Sequence, residues 1–114
     1  MSDCLFCDIA AGSIAATKVY ETDAVVGFED INPQAPVHVL FIPREHVASA
    51  AELSDAHGDV LVELFAAAAA HAREAGIADR GYRIVTNVGD DAGQTVHHLH
   101  LHLVGGRQMM WPPG

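Results

Sequence analysis

Apolar and polar positions alternate most sharply where His98, His100 and His102 interleave with Leu99, Leu101 and Leu103. A strand sends successive side chains to opposite faces, so the pattern predicts a strand over residues 97–103. Three imidazoles would share one face and three leucines would meet the core. Wound as a helix, the same residues would scatter the histidines and leave no apolar stripe. Earlier, Leu5, Phe6 and Ile9 fall at helical spacing ahead of Gly12, which predicts a short helix over residues 4–11 lying on the sheet. The β-forming runs 18–21 and 25–29, split by Thr22-Asp23, predict a hairpin. Pro33 and Pro36 break regular structure, and the apolar run 38–42, ended by Pro43, predicts a central strand covered on both faces. Val60, Leu61, Leu64, Phe65, Ala68 and Ala72 predict a long amphipathic helix capped by Ser54 and closed by Gly76. Its alanines, 66–70, permit close approach to the sheet or to a second copy. A strand over 82–87 and a flexible loop over 89–93 lead into the histidine stretch. The order is α+β, with a five-stranded antiparallel sheet, one short helix and one long one.

Composition narrows the function classes. At 114 residues, the chain has the size of one domain and can bury roughly two-thirds of its unfolded surface. A formal net charge of −9 argues against a nucleic-acid groove or an anionic membrane surface, both of which need a basic face. The start, Met1-Ser2-Asp3-Cys4, lacks the basic end and apolar centre of a secretory signal, so the expected compartment is the cytoplasm. Two cysteines three residues apart could hardly cross-link the fold, which leaves thiols or metal ligands.

Four of the eight histidines lie within residues 97–102. Imidazole is a nucleophile toward phosphorus, a proton carrier near neutral pH and a metal ligand. Gly93, Gln94 and Thr95 just upstream offer an open backbone, an amide and a hydroxyl to an anion. Phosphate chemistry follows from that combination. On pattern alone, Asn87 and Thr95 also read as turn-formers, Asp30 as a turn cap, and Phe6 and Phe28 as core.

The sequence resembles the histidine-triad (HIT) family, and within it the HINT-like nucleoside phosphoramidate hydrolases, over nearly its whole length. The resemblance rests on Gly93-Gln94-Thr95-Val96 leading into His98-Leu99-His100-Leu101-His102-Leu103, on Asp30-Ile31-Asn32-Pro33-Gln34-Ala35-Pro36, on Ile42-Pro43-Arg44-Glu45-His46, and on the tail from Gly105 to Trp111-Pro112-Pro113-Gly114. It implies a HIT-like fold and a double displacement at a nucleotide α-phosphorus, on a purine nucleotide such as AMP or a nucleoside phosphoramidate. His100 would attack, expel an amine and form a nucleotidyl-histidine that water hydrolyses. The His98 carbonyl would orient His100. His102, Asn87, Gly93, Gln94 and Thr95 would hold phosphate oxygens. Asp30 would hold the ribose, and Leu5, Phe6, Ile9, Phe28 and Ile31 would wall the base. The other main branch of the family implies dinucleoside polyphosphate hydrolysis as an alternative. A nucleotide- or zinc-binding regulatory protein with little turnover is the alternative outside enzymology.

Cys4-x-x-Cys7 resembles a subset of the family in which two cysteines and two histidines bind a structural zinc, at positions matching His46 and His98 here. His97 is an alternative ligand, and plain thiols are the reading without metal. The resemblance further implies a homodimer in which the sheet extends across a two-fold axis and the tail, 105–114, lies at the interface, with Trp111 near the partner's nucleotide. Met110 occupies a position that varies among relatives and bears on the leaving group.

Overall fold

The computed structural model describes residues 2–114. Cys4 caps α1 (Leu5–Ala11) by accepting the Cys7 amide on its sulfur at 3.3 Å, and Gly12, left-handed at φ 81°, ends it. The sheet contains β1 (Lys18–Glu21), β2 (Val25–Glu29), β3 (Val37–Pro43), β4 (Tyr82–Val85) and β5 (Leu101–Gly105). It is antiparallel throughout, in the order β1-β2-β3-β5-β4. The predicted hairpin is β1-β2, and the predicted central strand is β3.

Register assigns the faces. Val85, His102, Leu40 and Phe28 lie side by side across four strands, and facing partners point the same way. This face packs against α1 through Phe6, Ile9, Ala10, Val26, Phe28, Leu40 and Ile42. The opposite face carries Val25, Val39, Phe41, Leu101 and Leu103 against Leu64, Ala67, Ala68 and Ala72 of α2 (Gly58–Glu74). Gly27 is required here: a Cβ would sit 2.6 Å from the Phe41 ring.

Several expectations are corrected. The ladder of β5 begins at Leu101 rather than residue 97. The Leu99 amide bonds instead to the Val47 carbonyl at 2.6 Å, and residues 96–98 bend, which turns His98 toward the cysteines. The leucines nevertheless keep strand parity, all three buried. The helix predicted from Ser54 starts as a 3-10 turn, Asp55–His57, because the Ser54 hydroxyl accepts the Ala56 amide while the His57 ring accepts the Ser54 amide, closing a tight turn. Phe65, assigned to the core stripe, is 45% exposed, and Val62 beside it is 70% exposed, so α2 carries a second apolar face. β4 ends at Val85 rather than Asn87. The loop read as flexible is braced, with the Gln94 amide bonded to the Gly89 carbonyl and Gly93 to Asp90.

Candidate active site and metal cluster

The hydrogen bonds of four buried or half-buried imidazoles define which nitrogen of each carries a proton. His100 is 6% exposed, and its Nδ1 lies 2.6 Å from the His98 carbonyl. A carbonyl only accepts, so Nδ1 donates and Nε2 keeps its lone pair. The Thr86 hydroxyl donates to the His100 carbonyl at 2.8 Å and fixes the main chain there. Phe6 stands edge-on to the ring, with centroids 5.0 Å apart and planes at 88°, which walls off the side facing α1.

His102 is held from the other direction. The Gln34 amide donates to His38 Nδ1 at 3.0 Å, so neutral His38 carries its hydrogen on Nε2. That atom is 2.9 Å from His102 Nδ1 and 3.4 Å from Asp30 Oδ2. His102 Nδ1 therefore accepts, and its Nε2 carries the hydrogen. Burial, with the neighbouring His100 and His38 adding, pushes the His102 pKa down to about 4 against the opposing Asp30 charge. Burial also lowers that of His38, again opposed by Asp30. The pair is neutral at pH 7; His102 presents a donor hydrogen on Nε2 and His100 presents a lone pair on Nε2.

His98, fully buried, has a third environment. Its Nε2 donates to the Pro43 carbonyl at 2.8 Å, so Nδ1 is a free lone pair. Burial lowers its pKa, opposed by that Pro43 bond. Nδ1 lies 3.3 Å from Cys4 Sγ, 3.4 Å from Cys7 Sγ and 3.2 Å from His46 Nδ1, and Cys7 Sγ lies 3.4 Å from His46 Nδ1. Tetrahedral zinc, with bonds of about 2.3 Å to sulfur and about 2.0 Å to nitrogen, spaces its ligands about 3.5 Å (S to N) and about 3.3 Å (N to N) apart. These four separations fall within a few tenths of an ångström of those values, and all four donors lie within 4.8 Å of one another. Burial, with the Cys4 thiol next, pushes Cys7 up to about 11, so a cation is needed to draw its proton off near neutral pH. His97 is exposed and outside this group. Asp30, His38 and His102 also cluster within 4.8 Å, but a metal on His38 Nε2 would need the nitrogen that Gln34 obliges to keep its hydrogen. That cluster is a hydrogen-bond relay.

The remaining site residues separate. Phe6, Ile9 and Phe28 are buried in the α1 cluster, with Phe6 and Phe28 in edge contact at 5.4 Å. Leu5 is 46% exposed, and Ile31, expected in the base wall, is 99% exposed, because the proline loop carries it away from the sheet. The Asp30 carboxylate accepts the Asn32 amide at 2.8 Å, so it closes its turn as well as facing His38. The Gln94 side chain, expected on phosphate, is buried and committed: it accepts from Gly89 at 3.1 Å and donates to the Ala48 and Val96 carbonyls. It positions the loop that presents Gly93, left-handed at φ 82°, and exposed Thr95. Thr95 lines a cleft of 580 Å³ with Leu5, Cys4, Cys7, His46 and His97. Asn87 lines a second, of 640 Å³, with Arg83, Arg107 and Met110. Sequence reasoning missed His38. Its even position in β3, in register with the histidine strand, was the available signal.

The HIT domain family matches residues 11–109. The chain is 45% identical to a 14 kDa zinc-binding protein of Brassica juncea, over 98% of this chain and all of that one. It is 44% identical to adenylylsulfatase HINT1 of Arabidopsis thaliana, over 99% of this chain and 78% of that one. A HIT family hydrolase of Legionella pneumophila superposes with a TM-score of 0.96 at 47% identity, covering 98% of this chain and all of the other. Domain match, whole-chain likeness and the tautomer-ordered imidazoles agree: this chain is a member of the histidine-triad family, in its HINT-like branch, with a Cys-x-x-Cys N-terminus.

Proposed function

We propose that this nucleotide-binding HIT hydrolase cleaves the P–N bond of purine nucleoside 5′-phosphoramidates through a covalent intermediate on His100. One observation carries the reading: the His98 carbonyl takes the Nδ1 hydrogen of His100 and leaves Nε2 as a lone pair at a buried position. That lone pair forms the N–P bond. The amine nitrogen departs with the electron pair of the broken P–N bond and takes up one proton. Water then attacks phosphorus, the histidine nitrogen recovers its pair, and the proton is returned. The products are nucleoside 5′-monophosphate and free amine. His102, donating from Nε2, supports the phosphoryl oxygens as charge gathers there, with Gly93, Thr95 and Asn87 around the same group. Asp30 holds the ribose hydroxyls, and Phe6, Ile9 and Phe28 border the base.

Cys4, Cys7, His46 and His98 would hold a zinc ion, which supplies a structural cross-link between the chain start, β3 and the triad. The donor spacing supports this, as does the zinc-binding relative in Brassica juncea. We further propose a homodimer built on the free edge of β4 and on Val62 and Phe65 of α2, with the tail and Trp111 at the interface.

The test offers adenosine 5′-phosphoramidate and diadenosine tetraphosphate, separately, to wild type and to His100→Ala. The expected result is turnover of the phosphoramidate, a trapped adenylyl adduct on His100 by mass spectrometry, and loss of both in the variant. Turnover of the tetraphosphate alone selects polyphosphate hydrolysis. Tight nucleotide binding with turnover of neither selects a regulatory binding protein.

A further inference from the structure

Cys4 and Cys7 take no part in the reaction, yet they converge on the residue whose carbonyl orients His100. Leu5 and Phe6 between them are helical, which sets the two Cα atoms about 5 Å apart, from a rise of about 1.5 Å per residue on a cylinder of about 2.3 Å radius. The Asp8 amide on the Cys4 carbonyl, at 3.1 Å, closes that turn. A disulfide takes a Cα separation of about 4.4–6.8 Å, so the backbone suits one without moving. The sulfurs meet as well, at 3.3 Å and 3.4 Å from the same atom, His98 Nδ1. Both cysteines are unpaired and half-buried.

The pair is reachable from solvent. Cys4 and Cys7 line the 580 Å³ cleft together with exposed His46, Thr95 and His97. The cleft also lies away from the proposed subunit contact. α1 packs over β2 and β3, which β5 separates from the β4 edge, and α2 covers the opposite face of the sheet.

Zinc ligation and a disulfide are exclusive uses of these sulfurs. Tetrahedral ligation holds two thiolates about 3.8 Å apart, whereas a disulfide joins them at about 2.05 Å. Oxidation also changes what His98 Nδ1 meets. Thiols offer it hydrogens and a shared cation offers it a bond, but a disulfide offers neither. Its remaining neighbour is the His46 ring at 3.2 Å, which is exposed and held by no strand. The buried His98 ring then keeps only its Pro43 bond, in a segment, 96–98, that bends outside the ladder of β5. The His98 carbonyl, 2.6 Å from His100 Nδ1, belongs to that segment.

We propose that Cys4 and Cys7 are a reversible oxidation site for peroxides, whose disulfide displaces the metal and loosens the hold of His98 on His100. One thiolate attacks a peroxide oxygen, the O–O bond breaks, and a sulfenic acid and hydroxide result. The second thiolate attacks the sulfenic sulfur, the S–O bond breaks, and a second hydroxide leaves. Each hydroxide takes a proton to become water. The two sulfurs supply two electrons, and the peroxide is reduced. A phosphine or dithiol reductant reverses the change. The displacement rests on the zinc reading of the cluster and the effect on turnover rests on the phosphoramidate reading, while bridge formation depends on neither.

The test treats the zinc-loaded wild-type protein with hydrogen peroxide and follows three signals. The tryptic peptide ending at Lys18, which holds both cysteines, should become two hydrogens lighter and regain them with phosphine. A chromogenic indicator should report one zinc released per chain in step with that loss. The His100 Nδ1–H resonance should shift or broaden, and kcat for adenosine 5′-phosphoramidate should fall about tenfold, the scale of a slightly misplaced nucleophile. Peroxide should leave both His100 signals unchanged in Cys4→Ser/Cys7→Ser, which separates the pair from methionine oxidation. A bridge that forms in protein purified without metal refutes the zinc reading and supports the oxidation site. Absence of turnover in the reduced protein refutes the hydrolase reading, and the peptide mass and the resonance still decide. Free thiols with zinc retained after peroxide, oxidation straight to sulfinic acid, or a bridge that leaves the His100 resonance unmoved overturns the proposal.

Discussion

Acid should unfold this protein partly through His102. Its pKa is 6.5 when free of the fold and about 4 in the native state, where burial opposes charge. Above pH 6.5 the residue is neutral in both states and costs nothing. As the pH falls below 6.5 the unfolded chain takes up a proton that the native site refuses, and stability drops by about 1.36 kcal/mol per pH unit until the native pKa is reached. Between pH 7 and pH 5 the loss from this residue is about 2 kcal/mol. His38 titrates in the same direction. The assay is urea denaturation of wild type and His102→Gln at pH 7 and at pH 5, with zinc at one fixed excess. Metal loss in acid affects both proteins, so the difference of differences reads position 102 together with any change it imposes on its hydrogen-bonded partner His38. The variant should lose about 2 kcal/mol less than wild type over that interval. Equal losses in the two proteins would show that His102 is charged, or already exposed, in the native state, and the donor role assigned to its Nε2 would fall with it.

Two further outcomes concern metal and assembly. Metal analysis of protein purified without chelator should give one zinc per chain. Chelation of a site filled at a thousand times its dissociation constant removes about 4 kcal/mol, or roughly 15 °C of Tm for a domain of this size. Cys7→Ser should start near that lower Tm and be insensitive to chelator; a metal-free wild type with unchanged Tm refutes the cross-link. Light scattering should give the mass of two chains for wild type and of one for Phe65→Glu, since a charge on the exposed face of α2 opposes its burial; a wild-type mass of one chain rules out the dimer.

Much of the architecture was legible because it follows from periodicity. Leu99, Leu101 and Leu103 announced one core face, and Leu64, Ala68 and Ala72 announced the helix that covers it. What escaped was decided by partners distant in sequence. The strand could not be seen to start only at Leu101, because the competing bond comes from the Val47 carbonyl. Phe65 matched the apolar stripe as well as Leu64 did, and only the position of the sheet separates them. His38 was hidden inside an apolar run that reads as core, and its chemistry depends on the Gln34 amide and His102. Gln94 looked like a ligand because amides serve that purpose, but burial turned it into a brace. The cysteine cluster was legible only through the resemblance; the donor spacing supplies its physical basis.

His98 has three separable obligations: a ring nitrogen toward the cysteines, another to Pro43, and a carbonyl to His100. The last belongs to the main chain, which any amino acid at position 98 would present. The first residue of the triad thus serves the second through an atom that its own side chain does not supply. A substitution there acts through what anchors the loop, and a severe phenotype at position 98 says little about the reaction unless the cysteines are changed in parallel. A lineage that discards Cys4 and Cys7 would give up the proposed fastening while keeping the main-chain carbonyl that orients the ring at position 100.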